Sequence, residues 1–359
     1  MNTAILIPVV VIVFLMLINA PIWAALFGGM ITYFMFLKAD LPAKILIQRF
    51  VATTESSSYL AVPFFITAGA IMNRAGLSEK MLDFADALVG HLRGGLAHVN
   101  ILLSVLMGGV SGSAAADAAM ESKVLVPEMV KRGYGLEFSA AVTVASSLIT
   151  PIIPPGMGLI IYSMAANVSV GRMFAAGYVP GILCMIGFMI FVHFYAKKHN
   201  YAPSREKMAS FKEIMKLFGH AIWALLMPFG LLMALRAGLL TASETGAACC
   251  LYCLLIGVVV YRRFSVKDIV PTIIESVIGT ASVMTIMCAA NVLSYFLSYE
   301  NIPRTLTALI TNGGMGRAGF LLVVNIFIFI LGMFVSNGMI PILATLLAPL
   351  AVSLGIDPV

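Results

Sequence analysis

Two short stretches carry the residues best suited to chemistry in this chain. One is Gly108-Gly109-Val110-Ser111-Gly112-Ser113, the other Thr150-Pro151-Ile152-Ile153-Pro154-Pro155-Gly156, and each interrupts apolar sequence. The hydroxyls of Ser111, Ser113 and Thr150, together with carbonyls released from helical bonding, are hard oxygen ligands of the kind a small cation requires. A glycine and serine cluster between apolar arms can turn back on itself as a re-entrant hairpin. A double proline ends a helix, because proline lacks an N–H and disfavours helical geometry in the residue before it. Non-helical backbone at membrane depth is tolerated only where protein or a wet cavity satisfies it. Two such breaks, each followed by more apolar sequence, therefore point to an ion or substrate site near the bilayer midplane, as in secondary transporters.

The elements that must position these residues are membrane helices. Of 359 residues 61% are hydrophobic and only 11% charged, and the mean hydropathy of +1.02 lies outside the soluble range. At ~20 residues per span plus connections there is room for roughly nine or ten spanning or re-entrant units. A membrane barrel is disfavoured, since its strands would alternate where these apolar runs are continuous. The net charge of +6 reads as loop charge that sets topology, with no nucleic-acid partner needed. Cys184, Cys249, Cys250, Cys253 and Cys288 all sit in apolar runs without histidine partners, the setting of buried thiols. The histidines show no ligand spacing, and no nucleophile triad or phosphate loop is present, so an enzyme is not expected.

In chain order, residues 1–58 read as an N-terminal scaffold hairpin split at Asn19-Ala20-Pro21, followed by an interfacial helix. Residues 59–196 form a first repeat: a span, an amphipathic arm at Leu77–Val89, a re-entrant hairpin over about 95–132 and a broken helix over about 136–162. A lysine-rich linker at 197–218 is cytoplasmic by the positive-inside rule, and 219–264 hold two further scaffold spans. Residues 265–359 repeat the element order, with an arm at Arg304–Ile310 and a hairpin over about 318–355, whose glycine-rich break runs from Gly332 to Gly338. Charge placement inverts one half against the other. The expected fold is thus an all-α polytopic membrane protein with two inverted repeats, re-entrant hairpins and broken helices, working by alternating access. With Gly133 and Gly355 as matching anchors, the second repeat stops at Val359 before any counterpart of Thr150–Pro155, so a C-terminal end is expected to be missing.

The residues also carry a resemblance. Met107-Gly-Gly-Val-Ser-Gly-Ser-Ala-Ala-Ala-Asp-Ala-Ala119, Val126-Pro127-Glu128-Met129 with Gly133-Tyr134, and Ser147-Leu-Ile-Thr-Pro-Ile-Ile-Pro-Pro-Gly156 resemble the large membrane subunit of tripartite ATP-independent periplasmic (TRAP) transporters. That resemblance covers essentially the whole chain. It implies a bacterial or archaeal cytoplasmic-membrane permease that works with a small TRAP membrane subunit and a periplasmic solute-binding protein in the lipid bilayer. It further implies uptake of small carboxylates coupled to sodium, by an elevator-type architecture, with no organic cofactor. On this reading Ser111, Gly112, Ser113, Thr150, Pro151, Pro154, Pro155 and Gly156 line a sodium and substrate site in the first repeat, where helix-end N–H groups can hold a carboxylate. Ser336, Asn337 and Gly338 occupy the equivalent tip in the second. The resemblance implies a serine after the double proline in many members, where this chain departs with Gly156 and offers no hydroxyl.

Plainer roles compete. Small residues in membrane segments mark close helix packing, the reading given to Ala114–Ala116. Ser111, Ser113 and Thr150 could bond back to their own helices. Asp117 is either a buried functional carboxylate or a helix cap, and Glu121 and Lys123 are read as solvated or paired. Three function classes stay open: a sodium-coupled carrier, a channel, for which no pore-lining polar ring is evident, and a non-transporting assembly subunit.

Overall fold

The computed structural model describes residues 3–37, 42, 44–75, 77–108, 112–302, 305, 308, 316–332 and 339–359. Ser111, most of the 304–310 arm, and the second tip with Ser336, Asn337 and Gly338 lie outside the described residues. Among those described there is no strand.

Helix α1 (Thr3–Leu17) meets α2 (Ile22–Ile31) through a turn in which Asn19 has φ +63° and Pro21 precedes the first turn of α2; α2 runs on as a π-wound turn, Thr32–Leu37. Then come α3 (Lys44–Glu55), α4 (Ala61–Arg74), α5 (Leu77–Val89), α6 (Gly95–Gly108), α7 (Ala114–Lys131), α8 (Leu136–Ser147), α9 (Met157–Ala166) and α10 (Val170–Lys198). They are followed by α11 (Phe211–Arg236), α12 (Ala242–Leu255, extended by the π-wound Ile256–Val260), α13 (Val266–Tyr299), α14 (Arg317–Gly332) and α15 (Ile340–Ser353). Ser113, Ser169 and Ser210 cap α7, α10 and α11, each accepting a backbone N–H three residues on, and Thr241 with Glu244 closes a capping box on α12. Among the described residues, α10, Ala242–Val260 and α13 are long and apolar enough to cross a membrane. Shorter apolar helices include α6, α9, α14 and α15.

The chain divides into two compact units. One comprises Met1–Leu60, Ile161–Val168 and Gly279–Val359. Its core gathers Leu26, Met30, Tyr33 and Phe34 with Val292, Leu293 and Phe296. Tyr33 stands edge-on to Phe296 at 4.6 Å and its hydroxyl donates to Glu300, so the polar end of a buried ring is satisfied. The other unit comprises Ala61–Ile160 and Ser169–Ile278. Here α4 packs along α12, α5 lies against α6 and α11, and α6 touches α7, α8 and α10. Met81, Phe84 and Ala85 of α5 are buried at helical spacing while Asp83 is exposed, the one-sided pattern of an amphipathic helix.

The segment between α10 and α11 is a packed strap. Tyr201 stacks on Tyr134 at 4.4 Å, and Tyr195 stacks on both Phe138 at 4.4 Å and His199 at 4.1 Å. Tyr134 donates to the Ala202 carbonyl at 3.0 Å, Arg132 to that of Ser204 at 2.9 Å, and the Ser204 N–H to Gly90 at 2.8 Å. Arg205 then bridges Asp86 at 2.6 Å and Glu213 at 2.7 Å.

Candidate cation and substrate site

The hairpin and the broken helix meet. α6 ends at Gly108 and α7 starts at Ala114, with the Ser113 hydroxyl accepting the Ala116 N–H at 3.4 Å. Ser113 is thus the cap of the second arm, a role left open above for Asp117. Between the arms Gly112 adopts φ +57°, and its carbonyl accepts the Met157 N–H at 3.4 Å. A Cβ on Gly112 would stand 2.8 Å from the Pro155 carbonyl oxygen, so the tip rests directly on the backbone of the break.

On the facing side α8 ends at Ser147 and tightens into turns, with Ile149 bonding Ser146 at 2.9 Å and Ile152 bonding Ile149 at 2.9 Å. Helix resumes only at Met157. Among the described residues no backbone N–H donates to the carbonyls from Thr150 to Pro155. Pro154, Pro155 and Gly156 are buried and Pro151 is half-buried. Gly156 folds back so tightly that a Cβ there would lie 1.9 Å from the Pro151 oxygen, leaving room for no side chain.

Beneath the tip lies a buried polar network. Thr150 Oγ1 is 2.5 Å from Asp117 Oδ2 and 3.1 Å from the Ser104 carbonyl oxygen, so this hydroxyl reaches across to the hairpin. Ser104 donates to Glu121 Oε1 at 3.0 Å. One turn away, Asn100 Nδ2 donates to Thr143 Oγ1 at 2.8 Å, and Ser146 Oγ donates to Asn100 Oδ1 at 2.6 Å. Asn100, Ser104, Asp117, Glu121, Ser146 and Thr150 are all fully buried. The reading of Glu121 as solvated or paired is therefore corrected: it is enclosed, whereas its neighbour Lys123 is exposed. The reason is helical geometry. The buried face of α7 is the row Asp117, Glu121, Leu125, Met129, four residues apart throughout. Reading that row upward from Leu125 and Met129 would have placed Glu121 inside.

Asn100, Ser104, Thr143 and Ser146 also belong to this buried network; the first three are lone polar residues in apolar runs, and Ser146 stands beside Ser147. Their spacing is the missed signal: Asn100 and Ser104 share one face of α6, and Thr143, Ser146, Ser147 and Thr150 form a stripe on α8 and its last turn. Asn100→Leu keeps the bulk, removes both hydrogen bonds and takes from the Thr143 hydroxyl its donor, while the Ser146 hydroxyl falls back on the Thr143 carbonyl at 3.1 Å. It is expected to destabilise the purified protein by about 1–3 kcal/mol, read as a clear fall in melting temperature in detergent. A melting temperature equal to that of the parent would show that the tie contributes nothing.

An all-helical apolar chain in which a hairpin tip and a broken helix enclose polar backbone is built as a membrane transport protein. The chain belongs to the family described as "Tripartite ATP-independent periplasmic transporter, DctM component", which matches residues 9–359. It is a large permease component of a secondary transporter and a multi-pass protein of the bacterial inner membrane. The sialic acid TRAP transporter large permease protein SiaM of Vibrio cholerae is 34% identical over 87% of this chain and 73% of its own length. The C4-dicarboxylate TRAP transporter large permease protein DctM of Pseudomonas aeruginosa is 32% identical over 92% and 77%. The isethionate TRAP transporter permease protein DctMQ of Oleidesulfovibrio alaskensis is 31% identical over 89% and 50%.

Proposed function

We propose that this chain is the permease of a sodium-coupled symporter that takes up small carboxylates handed over by a periplasmic binding protein, with a small membrane subunit as its second partner. The observation that carries the sodium assignment is the contact of the Gly112 tip with the Pro155–Met157 backbone. Sodium sits there among carbonyls of Thr150 to Pro155, the Thr150 hydroxyl and the tip residues Ser111, Gly112 and Ser113. Hard oxygens without competing donors suit a dehydrated cation. Ser336, Asn337 and Gly338 serve the second tip in the same way. The substrate carboxylate takes the free N–H groups and the nearby bound charge. The relatives' names carry sialic acid, C4-dicarboxylates and isethionate, all small organic anions, and a carboxylate is the commonest group among them.

Both hairpin arms pack on α8 within one compact unit. This supports an elevator-type movement, in which the two walls of the site travel together. The test is uptake of radiolabelled succinate and sialic acid into proteoliposomes holding the chain with its partner subunits and binding protein. Uptake of one of them driven by an inward sodium gradient supports the carrier. Sodium-independent conductance, or uptake indifferent to sodium, overturns it.

A further inference from the structure

Glu121 has no place in the tip site. It lies one helical turn beyond Asp117 on α7, so the two carboxyls occupy the same face, with Cβ atoms about 5–6 Å apart. Each is anchored by one oxygen only: Asp117 Oδ2 by Thr150 at 2.5 Å, and Glu121 Oε1 by Ser104 at 3.0 Å. The other oxygens, Asp117 Oδ1 and Glu121 Oε2, are buried with no hydrogen-bond partner. Both residues are 0% exposed. Among the described residues no lysine, arginine or histidine forms an ion pair with either.

Such an arrangement is costly if left bare, because an uncompensated buried carboxylate is strongly destabilising. Asp117, in the first turn of α7, gains from the positive end of the helix dipole, an effect that fades within a turn and barely reaches Glu121. An unpartnered oxygen on each of two enclosed carboxyls calls for a positive charge between them. The ligand set, carboxylates plus the Ser104 hydroxyl, is hard oxygen throughout and excludes thiophilic metals. It is also too small for the six to eight oxygens that calcium takes. We propose that Asp117 and Glu121 form a second, carboxylate-walled sodium site inside the hairpin, separate from the tip and with the Ser104 hydroxyl as a third ligand.

This site does not depend on sodium at the tip, and it is tested by counting ions rather than by transport. The full chain, purified in detergent and exchanged into choline buffer at pH 8, is titrated with radioactive sodium. Glu121→Gln is expected to bind one sodium ion fewer per chain than the parent. Glu121→Asp, which retains the charge on a shorter arm, should keep the ion with roughly tenfold weaker affinity. Lys123→Gln, an exposed change on the same helix, should leave the sodium count unchanged. Equal counts in the parent and Glu121→Gln overturn the site, as does a variant whose only change is in the pH dependence of stability, which would assign the pair to protons. Should Glu121→Gln aggregate, unchanged sodium affinity in a folded Glu121→Asp would overturn it equally.

Discussion

Uptake is expected to fall to background in Gly156→Ala and Gly156→Ser chains reconstituted with their partner subunits, although both variants still insert in the membrane. The added Cβ would sit 1.9 Å from the Pro151 oxygen, and that neighbour is backbone, which cannot swing aside as a side chain could. The turn must open by an ångström or more. Opening it displaces Pro155, whose carbonyl oxygen lies only 2.8 Å from where a Cβ on Gly112 would stand, and so separates the break from the tip. Overpacking of this kind costs about 1–3 kcal/mol in a well-packed interior, and the same distortion removes the carbonyl alignment on which the proposed ion binding depends. Serine should fail as badly as alanine, despite bringing a hydroxyl. The check is initial uptake per reconstituted chain, and rates within twofold of the parent for either variant would refute the account. The absence of a hydroxyl at Gly156 thus has a conformational cause: the loop closes too tightly for any side chain.

Thr150→Val should raise the sodium concentration for half-maximal uptake by about tenfold or more. Valine keeps the shape and removes the hydroxyl that lies 2.5 Å from Asp117 and 3.1 Å from the Ser104 carbonyl. That hydroxyl is the oxygen assigned to the tip cation, and loss of an interaction with a charged group costs about 1.5–3 kcal/mol. Each 1.4 kcal/mol is about a factor of ten in affinity. Thr150→Ser restores the oxygen and should recover most of the sodium dependence, which separates loss of the ligand from loss of packing. A sodium titration of uptake decides the matter. Parent-like curves for both Thr150→Val and Ser113→Ala would remove the tip from the list of cation ligands.

Much of the helical layout could be read before any coordinates. The α5 helix runs over Leu77–Val89 because charged and apolar residues alternate there at helical period, and the interruption after Ser147 follows from prolines that cannot donate. What escaped was long-range. The Asn100, Thr143 and Ser146 tie joins residues more than forty positions apart, and single polar residues in apolar runs vanish when hydropathy is averaged over a window. Glu121 was hidden by its neighbours Ser122 and Lys123, which give the stretch a solvated look although they point off the buried row of α7. Tyr134, Phe138, Tyr195 and Tyr201 come from distant parts of the sequence, and only folding stacks them. Nothing in the local pattern announces such a cluster.

That cluster changes what the segment after α10 can do as a tether. A lysine-rich stretch between two helices would ordinarily supply slack, since its freedom is recovered whenever the ends separate. Here residues 199–205 have already surrendered that freedom to stacking, carbonyl bonds and the Arg205 bridges. Only 206–210 connect that strap to α11, which begins at Phe211, and within them Ala209 is buried and Ser210 caps the helix. Fully stretched, those residues reach about 17 Å at ~3.4 Å each. The connection therefore acts as a short leash, and the distance α11 can move from the ends of α7 and α10 is set by the five residues beyond Arg205.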